Sequence, residues 1–297
     1  MLPTLRQLHY LKLLSEHGSF SRAAEAAHVT QPTLSAGIQE LEKILGAAVV
    51  DRNRSGVIFT AAGEEAIVRA GAILANTEDL VQAARGAGQP LSGRFRLGVI
   101  PTVAPFLLPK ALPLLRQQFP KLRLFLREDL THRLITGLKS GALDAALIAL
   151  PYDMGGLDWA HVEDDELLVA FPANHPLTAS KRVSAERMEG EEMILLEDGH
   201  CLREHALAAC GHSQPRHADE ESFAATSLPT LVQMVGSGLG ISFLPAMAVE
   251  AGLADAAHVT VRPLDAKDAS REIVVAWRAG SSRAVEGRLL AEVLRAA

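Results

Sequence analysis

Residues 18–46, running Gly18-Ser19-Phe20-Ser21-Arg22-Ala23-Ala24 through Val29-Thr30-Gln31-Pro32-Thr33-Leu34-Ser35 to Leu45-Gly46, carry the reading on which the fold turns. Ahead of them, Leu5, Leu8, Leu11 and Leu14 recur at helical spacing, and Gly18 stops that element. A short helix rich in alanine is expected from Ser21 to Ala27, followed by a turn at His28-Val29-Thr30. The third helix opens with Thr30 as N-cap and Pro32 in its first turn, where proline is tolerated. Leu34, Ile38, Leu41 and Leu45 share one side of it, and Gly46 suits its C-terminal stop. Helix, short helix, tight turn, helix is the helix-turn-helix arrangement, whose last helix enters the DNA major groove. Gln31, Thr33, Leu34 and Ser35 are then expected exposed at its leading end, with Gln39 further along, where Gln can read adenine edges and Thr or Ser can take bases or phosphates. Val49-Val50 and Val57-Ile58-Phe59 read as two strands. The loop between them offers Arg52 and Arg54 as a wing against phosphates or the minor groove.

A single long helix is expected from Thr60 to about Arg85. Ile67, Ala70, Leu74, Thr77, Val81 and Ala84 form a narrow seam on it, and a helix of about 40 Å cannot bury that seam against itself. A second copy of the chain is the economical partner. Gly86, Gly88 and Pro90 mark a linker, after which strands and helices alternate. Phe95, Leu97 and Val99 form a strand, and Thr102 opens a helix as its N-cap. Leu122 to Leu126, Ala145 to Leu150, Leu167 to Phe171, Glu192 to Leu196, Gly238 to Leu244 and Ile273 to Ala276 read as further strands. Helices are expected at Leu130 to Lys139, near Cys201 and at Leu228 to Val235. This rhythm predicts a parallel sheet flanked by helices and split into two subdomains joined by crossover strands.

Composition narrows the class. The chain has 297 residues, 48% of them hydrophobic, enough for two or three domains. No apolar run is long enough to span a bilayer, and the first helical pattern is polar on one side, so neither a membrane span nor a secretory signal is expected. A formal charge of −6 excludes a wholesale nucleic-acid coat and permits a local basic site. Two cysteines are too few for a disulfide scaffold, and a cytoplasmic location fits.

Those cysteines stand in the stretch richest in chemistry, Asp198-Gly199-His200-Cys201-Leu202-Arg203-Glu204-His205 to Ala209-Cys210. Asp198-Gly199 is a turn signal and a helix follows. Cys201 therefore lies near a helix N-terminus, whose dipole favours the nucleophilic thiolate, beside His200. In an unbroken helix Cys210 lies about 13.5 Å further on, beyond the ~7 Å reach of a disulfide. Bonding the two would require that helix to unwind. Three readings stand side by side at this point: inert apolar thiols, a reversible redox pair, and a metal site drawn from His200, Cys201, His205, Cys210, His212 and His217. The metal reading lacks a CxxC pair, and no metal or other cofactor is expected.

The string from Leu8 to Gly46, with Phe59-Thr60-x-Ala62-Gly63-Glu64, resembles the winged helix-turn-helix and linker helix of LysR-type transcriptional regulators. That resemblance implies a C-terminal effector domain like a periplasmic binding protein. It divides the chain into a winged helix-turn-helix domain (1–60), a linker and dimerisation helix (61–90) and an effector domain (91–297). Subdomain I then covers about 91–165 and 267–297, and subdomain II about 166–266. Thr30, Gln31, Thr33, Ser35, Arg52 and Arg54 become the implied DNA contacts. Val49-Val50-Asp51 departs from the family by lacking a larger hydrophobic residue before the acidic one.

The cysteine stretch, with Ile100-Pro101-Thr102 and Leu130-Thr131-His132, looks like the hydrogen-peroxide-sensing OxyR branch of that family. There the first cysteine is oxidised to a sulfenic acid and captured by the second, positions matched here by Cys201 and Cys210. Thr102 and Thr131 match hydroxyls that hold the peroxide or its waters, and Arg271 matches a cation stabilising the thiolate. Without the family, Arg271 reads equally well as a solvated strand residue. Ser222 replaces a histidine common in the branch. The partners implied are double-stranded DNA, further copies of the chain as dimer and tetramer, RNA polymerase, and hydrogen peroxide as signal. No enzymatic turnover is expected. Two rivals are a regulator switched by a small organic acid held between the subdomains, and a thiol peroxidase.

Overall fold

The computed structural model describes residues 2–53, 56–84, 89–209, 224–266 and 269–297. Arg54, Cys210 and Ser222 lie outside the described residues. At the N-terminus, α1 (Leu5–His17) is held by a capping box. The Thr4 hydroxyl accepts from the Gln7 amide while the Gln7 side chain accepts from the Thr4 amide at 2.8 Å. α2 (Phe20–Ala26) and α3 (Gln31–Leu45) follow, and Thr30 caps α3 by accepting from the Thr33 amide. Leu11, Leu14, Ala23, Ala24, Leu34, Ile38 and Leu41 are fully buried together, the apolar stripes of three short helices closed on one another. β1 (Val50–Asn53) and β2 (Gly56–Phe59) form an antiparallel pair, tied to the end of α3 where the Glu42 carboxylate accepts from the Val49 amide at 2.9 Å.

α4 (Ala61–Ala84) is the long helix, but its seam is used differently from the expectation. Ala66, Ile67, Ala70 and Leu74 pack into the core of the three N-terminal helices, so α1 covers that half and no second copy is needed there. Further along, Ala75 is buried, and Gly71 lies so close to the Ser140 carbonyl that a Cβ would stand 2.5 Å from it. Ile73, Leu80 and Val81 remain exposed. The apolar surface left for a partner is therefore a shorter strip, displaced from the predicted one.

The remaining chain builds β3 (Gly93–Val99), α5 (Ala104–Gln118), β4 (Leu122–Glu128), α6 (Thr131–Lys139), β5 (Ala145–Leu150) and the long β6 (Leu157–Pro172). It continues through β7 (Leu195–Leu196), α7 (Cys201–Ala209), β8 (Ala224–Ala225), α8 (Leu228–Gly236), β9 (Ser242–Pro245), α9 (Ala246–Glu250), β10 (Val259–Pro263), β11 (Ser270–Arg278) and α10 (Ala284–Arg295). The sheet is mixed, against the parallel expectation. β3 runs parallel to β4 and β5, whereas β11 is antiparallel to both β5 and the first half of β6. β9 and β10 pair antiparallel with the second half of β6. Alternation in a sequence fixes which side a residue takes and leaves strand direction open.

Two cores result. One gathers Phe95, Leu97, Val99, Leu147, Ile148, Val274, Trp277 and Leu290, the other Val169, Phe171, Leu196, Leu231, Val235 and Phe243. α7 lies at their junction: Cys201 packs into the first, and Leu202 and Ala206 into the second.

Candidate functional site

Gly199 sets the site up. It turns with φ +92°, a conformation that costs a side-chain-bearing residue dearly, and a Cβ there would meet Leu130 Cδ1 at 3.0 Å. The turn delivers His200 and places Cys201 as the first residue of α7, 7% exposed. Arg203 braces the turn from within the helix, donating to the Leu196 carbonyl at 3.1 Å and pairing with Asp198 at 2.9 Å. Cys201 lines a narrow cleft with Ile100, Pro101, Thr102, Leu130, Thr131, Gly199 and His200. The residues close on one another so that no water-sized void is left among them, whereas pockets for organic ligands run from roughly 300 Å³ upward.

Two threonines reach this cleft in different states. Thr131 Oγ1 is buried and has no hydrogen-bond partner among the described residues, a costly condition for a hydroxyl. Thr102 Oγ1 is engaged. Arg271 donates to it from Nη1 at 2.8 Å and to the Thr102 carbonyl from Nη2 at 3.0 Å. Thr102 therefore does not cap α5: Val103 occupies that position, because the hydroxyl has turned toward the guanidinium instead.

Arg271 is not a solvated strand residue. It is 1% exposed and pairs with Asp165 at 2.9 Å, while the other Asp165 oxygen accepts from the Met247 amide at 3.0 Å. Asp165 is the site residue that sequence reasoning missed. The acidic run Glu163-Asp164-Asp165-Glu166 reads as a solvated tract, yet Asp165 shares the phase of Leu167, Val169 and Phe171, all buried. Extending that period of two backward would have pointed it inward.

Two imidazoles flank the thiol. Burial lowers the pKa of His200. Burial, together with the Arg271 charge, also lowers that of His205, which lies one helical turn after Cys201. The Tyr152 phenol is pushed upward by burial and by the charge of the nearby Cys201 sulfur. Among the described residues, no group of three or more His, Cys, Asp or Glu is placed to hold a metal.

On the N-terminal domain, Thr30, Gln31 and Thr33 are exposed together at the start of α3, and Ser35 is half-buried one turn in. The Thr30 and Thr33 hydroxyls lie 2.8 Å apart. Arg52 stands on β1. No helix among the described residues is long and apolar enough to cross a membrane.

Comparison with known proteins bears on both ends of the chain. The family model "Bacterial regulatory helix-turn-helix protein, lysR family" matches residues 5–64, and "LysR substrate binding domain" matches residues 88–297. The chain is 41% identical over 248 residues to the HTH-type transcriptional regulator EstR of Acinetobacter baylyi, covering 84% of this chain and 81% of that protein. It is 39% identical over 293 residues to the DNA-binding transcriptional dual regulator OxyR of Escherichia coli, covering 98% and 95%. Among solved structures, a full-length OxyR variant from Pseudomonas aeruginosa superposes with a TM-score of 0.83 at 34% identity, over 99% and 95% of the two chains. A hydrogen-peroxide-bound OxyR mutant of Corynebacterium glutamicum gives 0.65 at 30% identity, over 100% and 94%.

Proposed function

The chain belongs to the LysR family of bacterial helix-turn-helix regulators, and from that premise we propose that it regulates transcription in response to hydrogen peroxide, sensed at Cys201. Thr30, Gln31, Thr33 and Ser35 would meet DNA bases and phosphates from α3, with Arg52 and Arg54 of the wing on the backbone. The two cores support a regulatory region divided near residues 165 and 267, with α7 shared between its halves. The exposed Ile73, Leu80 and Val81 support self-association through α4. RNA polymerase is the partner through which a DNA-bound activator would act.

In the reduced state Cys201 stands at the N-terminus of α7, and its sulfur reacts as the thiolate, the nucleophilic form of a thiol. Its sulfur attacks one peroxide oxygen, the O–O bond breaks, and the departing hydroxide takes a proton and leaves as water. Sulfur keeps the other oxygen as a sulfenic acid. The Cys210 sulfur then attacks the Cys201 sulfur, the S–O bond breaks, a second water leaves, and an S–S bond remains. Because α7 is helical from Cys201 to Ala209, that bond requires it to unwind. Leu202 and Ala206 would leave the second core as it does. Cellular thiols reset the pair.

The observation that carries this reading is the buried, unpartnered Thr131 hydroxyl in a cleft with Cys201 and the Arg271-bound Thr102. The closed cleft leaves no room for an organic acid at this point, and even a molecule the size of peroxide enters only as the lining side chains give way. The test is to treat the reduced protein with one equivalent of peroxide, map Cys201–Cys210 by mass spectrometry, and footprint promoter DNA before and after. The disulfide is expected with an altered footprint, and Cys201→Ser is expected to abolish both. An unchanged peroxide response in Cys201→Ser would leave the organic-acid reading standing. Steady peroxide consumption with a reductant at constant footprint would favour a peroxidase.

A further inference from the structure

We propose that His205 is a positioning residue for the Cys201 reaction: buried one turn after the thiol and satisfied at only one ring nitrogen, it primes α7 to open and makes that opening a proton-uptake step. The inference rests on the peroxide-switch reading for its consequence, but not for its own measurement. His205 is 6% exposed on the same side of α7 as Cys201, because residues four apart in a helix stack above one another. Its Nε2 lies 3.3 Å from the Pro151 carbonyl oxygen, which can only accept, so Nε2 carries the proton. That leaves Nδ1 as a bare acceptor, buried without a partner among the described residues.

The closed helix thus holds an imidazole that cannot comfortably take a second proton. Arg271 of β11, itself neutralised by Asp165 of β6, is the cation acting on it. Among the described residues, Cys201 stands one turn earlier on α7 and Tyr152 follows Pro151 in the chain. Burial is the largest influence and opposes protonation in place; the Pro151 hydrogen bond works against it, and the Arg271 charge, smaller still, sides with burial. When α7 opens, the ring meets water, satisfies Nδ1 and regains an ordinary pKa near 6.5. The sign follows. The closed state keeps its full advantage above about pH 6.5 and loses it as pH falls below, by up to tenfold per pH unit until the closed-state ring itself protonates. Acidification therefore shifts α7 toward the open form that disulfide bonding requires.

Hydrogen–deuterium exchange of α7 amides in reduced full-length protein, without peroxide and corrected for intrinsic exchange, reads this opening directly. Between pH 7.5 and 5.5 the opening constant of the unsubstituted protein should rise, with about tenfold as the upper limit. His205→Gln, neutral throughout, should show a clearly shallower profile, keeping only what His200 at the start of the helix contributes. Coincident profiles for the two proteins would overturn the proposal. If His205→Gln does not fold, the imidazole resonances of the unsubstituted protein decide. His205 should stay unprotonated well below pH 6.5 while reduced, and an ordinary titration there would overturn the inference equally. Absence of a Cys201–Cys210 bond after peroxide would sink the switch reading and leave both these measurements standing.

Discussion

At the scale of single residues, the site is held by polar groups of unequal cost. Arg271 and Asp165 are both out of solvent, and each is satisfied from several directions, so the pair is a rigid fixture that fixes the Thr102 hydroxyl. Thr131 is the opposite case, a buried hydroxyl with no hydrogen bond among the described residues to offset its burial. That contrast yields a prediction in which stability and function move apart. Thr131→Val is nearly isosteric and removes the orphan, so the melting temperature should hold or rise. If the hydroxyl serves the bound peroxide, the rate of Cys201 oxidation should fall about tenfold, the worth of one hydrogen bond of ~1.4 kcal/mol. Stopped-flow oxidation and thermal melts on the same preparation check both halves. A variant that melts lower and reacts at the original rate would mark Thr131 as merely structural. Thr102, Thr131, Cys201 and Arg271 were all legible in the sequence through their family strings. Asp165 was not, because four consecutive acids look solvated until strand phase is considered.

At the scale of elements, legibility followed the strength of the local signal. α1, α3 and α4 fell within a residue or two of expectation, since caps and apolar periodicity agree there. β6 did not. Only Leu167 to Phe171 carried a hydrophobic signal, whereas Asp158, Trp159, His161 and Asp164 belong to the strand because β11 supplies their backbone partners. Tertiary pairing overrides composition in such a segment. The same holds for α5, whose start moved one residue past Thr102 because a guanidinium distant in sequence captured the capping hydroxyl. α7 has a boundary that can be tested. The turn before it needs Gly199 at positive φ, beside Leu130 Cδ1. Gly199→Ala should cost about 1–3 kcal/mol in urea unfolding, and faster amide exchange should be confined to α7 and the His200 turn. An unchanged unfolding midpoint would show that the turn has another conformation open to it.

At the scale of the whole molecule, two elements span the distance from the cysteine cleft to the linker helix. α6 begins at Thr131 in the cleft and ends beside Ser140, against which Gly71 of α4 is packed. β11 carries Arg271 at one end and Arg278 at the other, about 24 Å apart along an extended strand. Arg278 donates to Asp79 of α4 at 2.6 Å and to the Leu138 carbonyl at the end of α6 at 3.3 Å. Ser281 and Ser282 add donors to the same carboxylate at 3.1 and 2.7 Å. Asp79 is thus the acceptor through which the regulatory region grips the helix leading to the DNA-binding domain. A cavity of about 250 Å³ lies beside this grip, lined by Glu78, Arg96, Asp144 and Arg283, where loosened side chains have room to move. Asp79→Ala strands three donors in a half-buried setting and should weaken the docking by about 1–3 kcal/mol. Limited proteolysis should then cut sooner near the end of α4, while Cys201, far from the change, keeps its rate of reaction with peroxide. Under the peroxide-switch reading, the footprint change that follows oxidation should shrink in proportion, because a repacked regulatory region would no longer turn the linker helix with it. Footprints of oxidised Asp79→Ala that match the oxidised parent would mean that α4 receives the signal elsewhere, through a second copy of the chain rather than through its own β11 and α6.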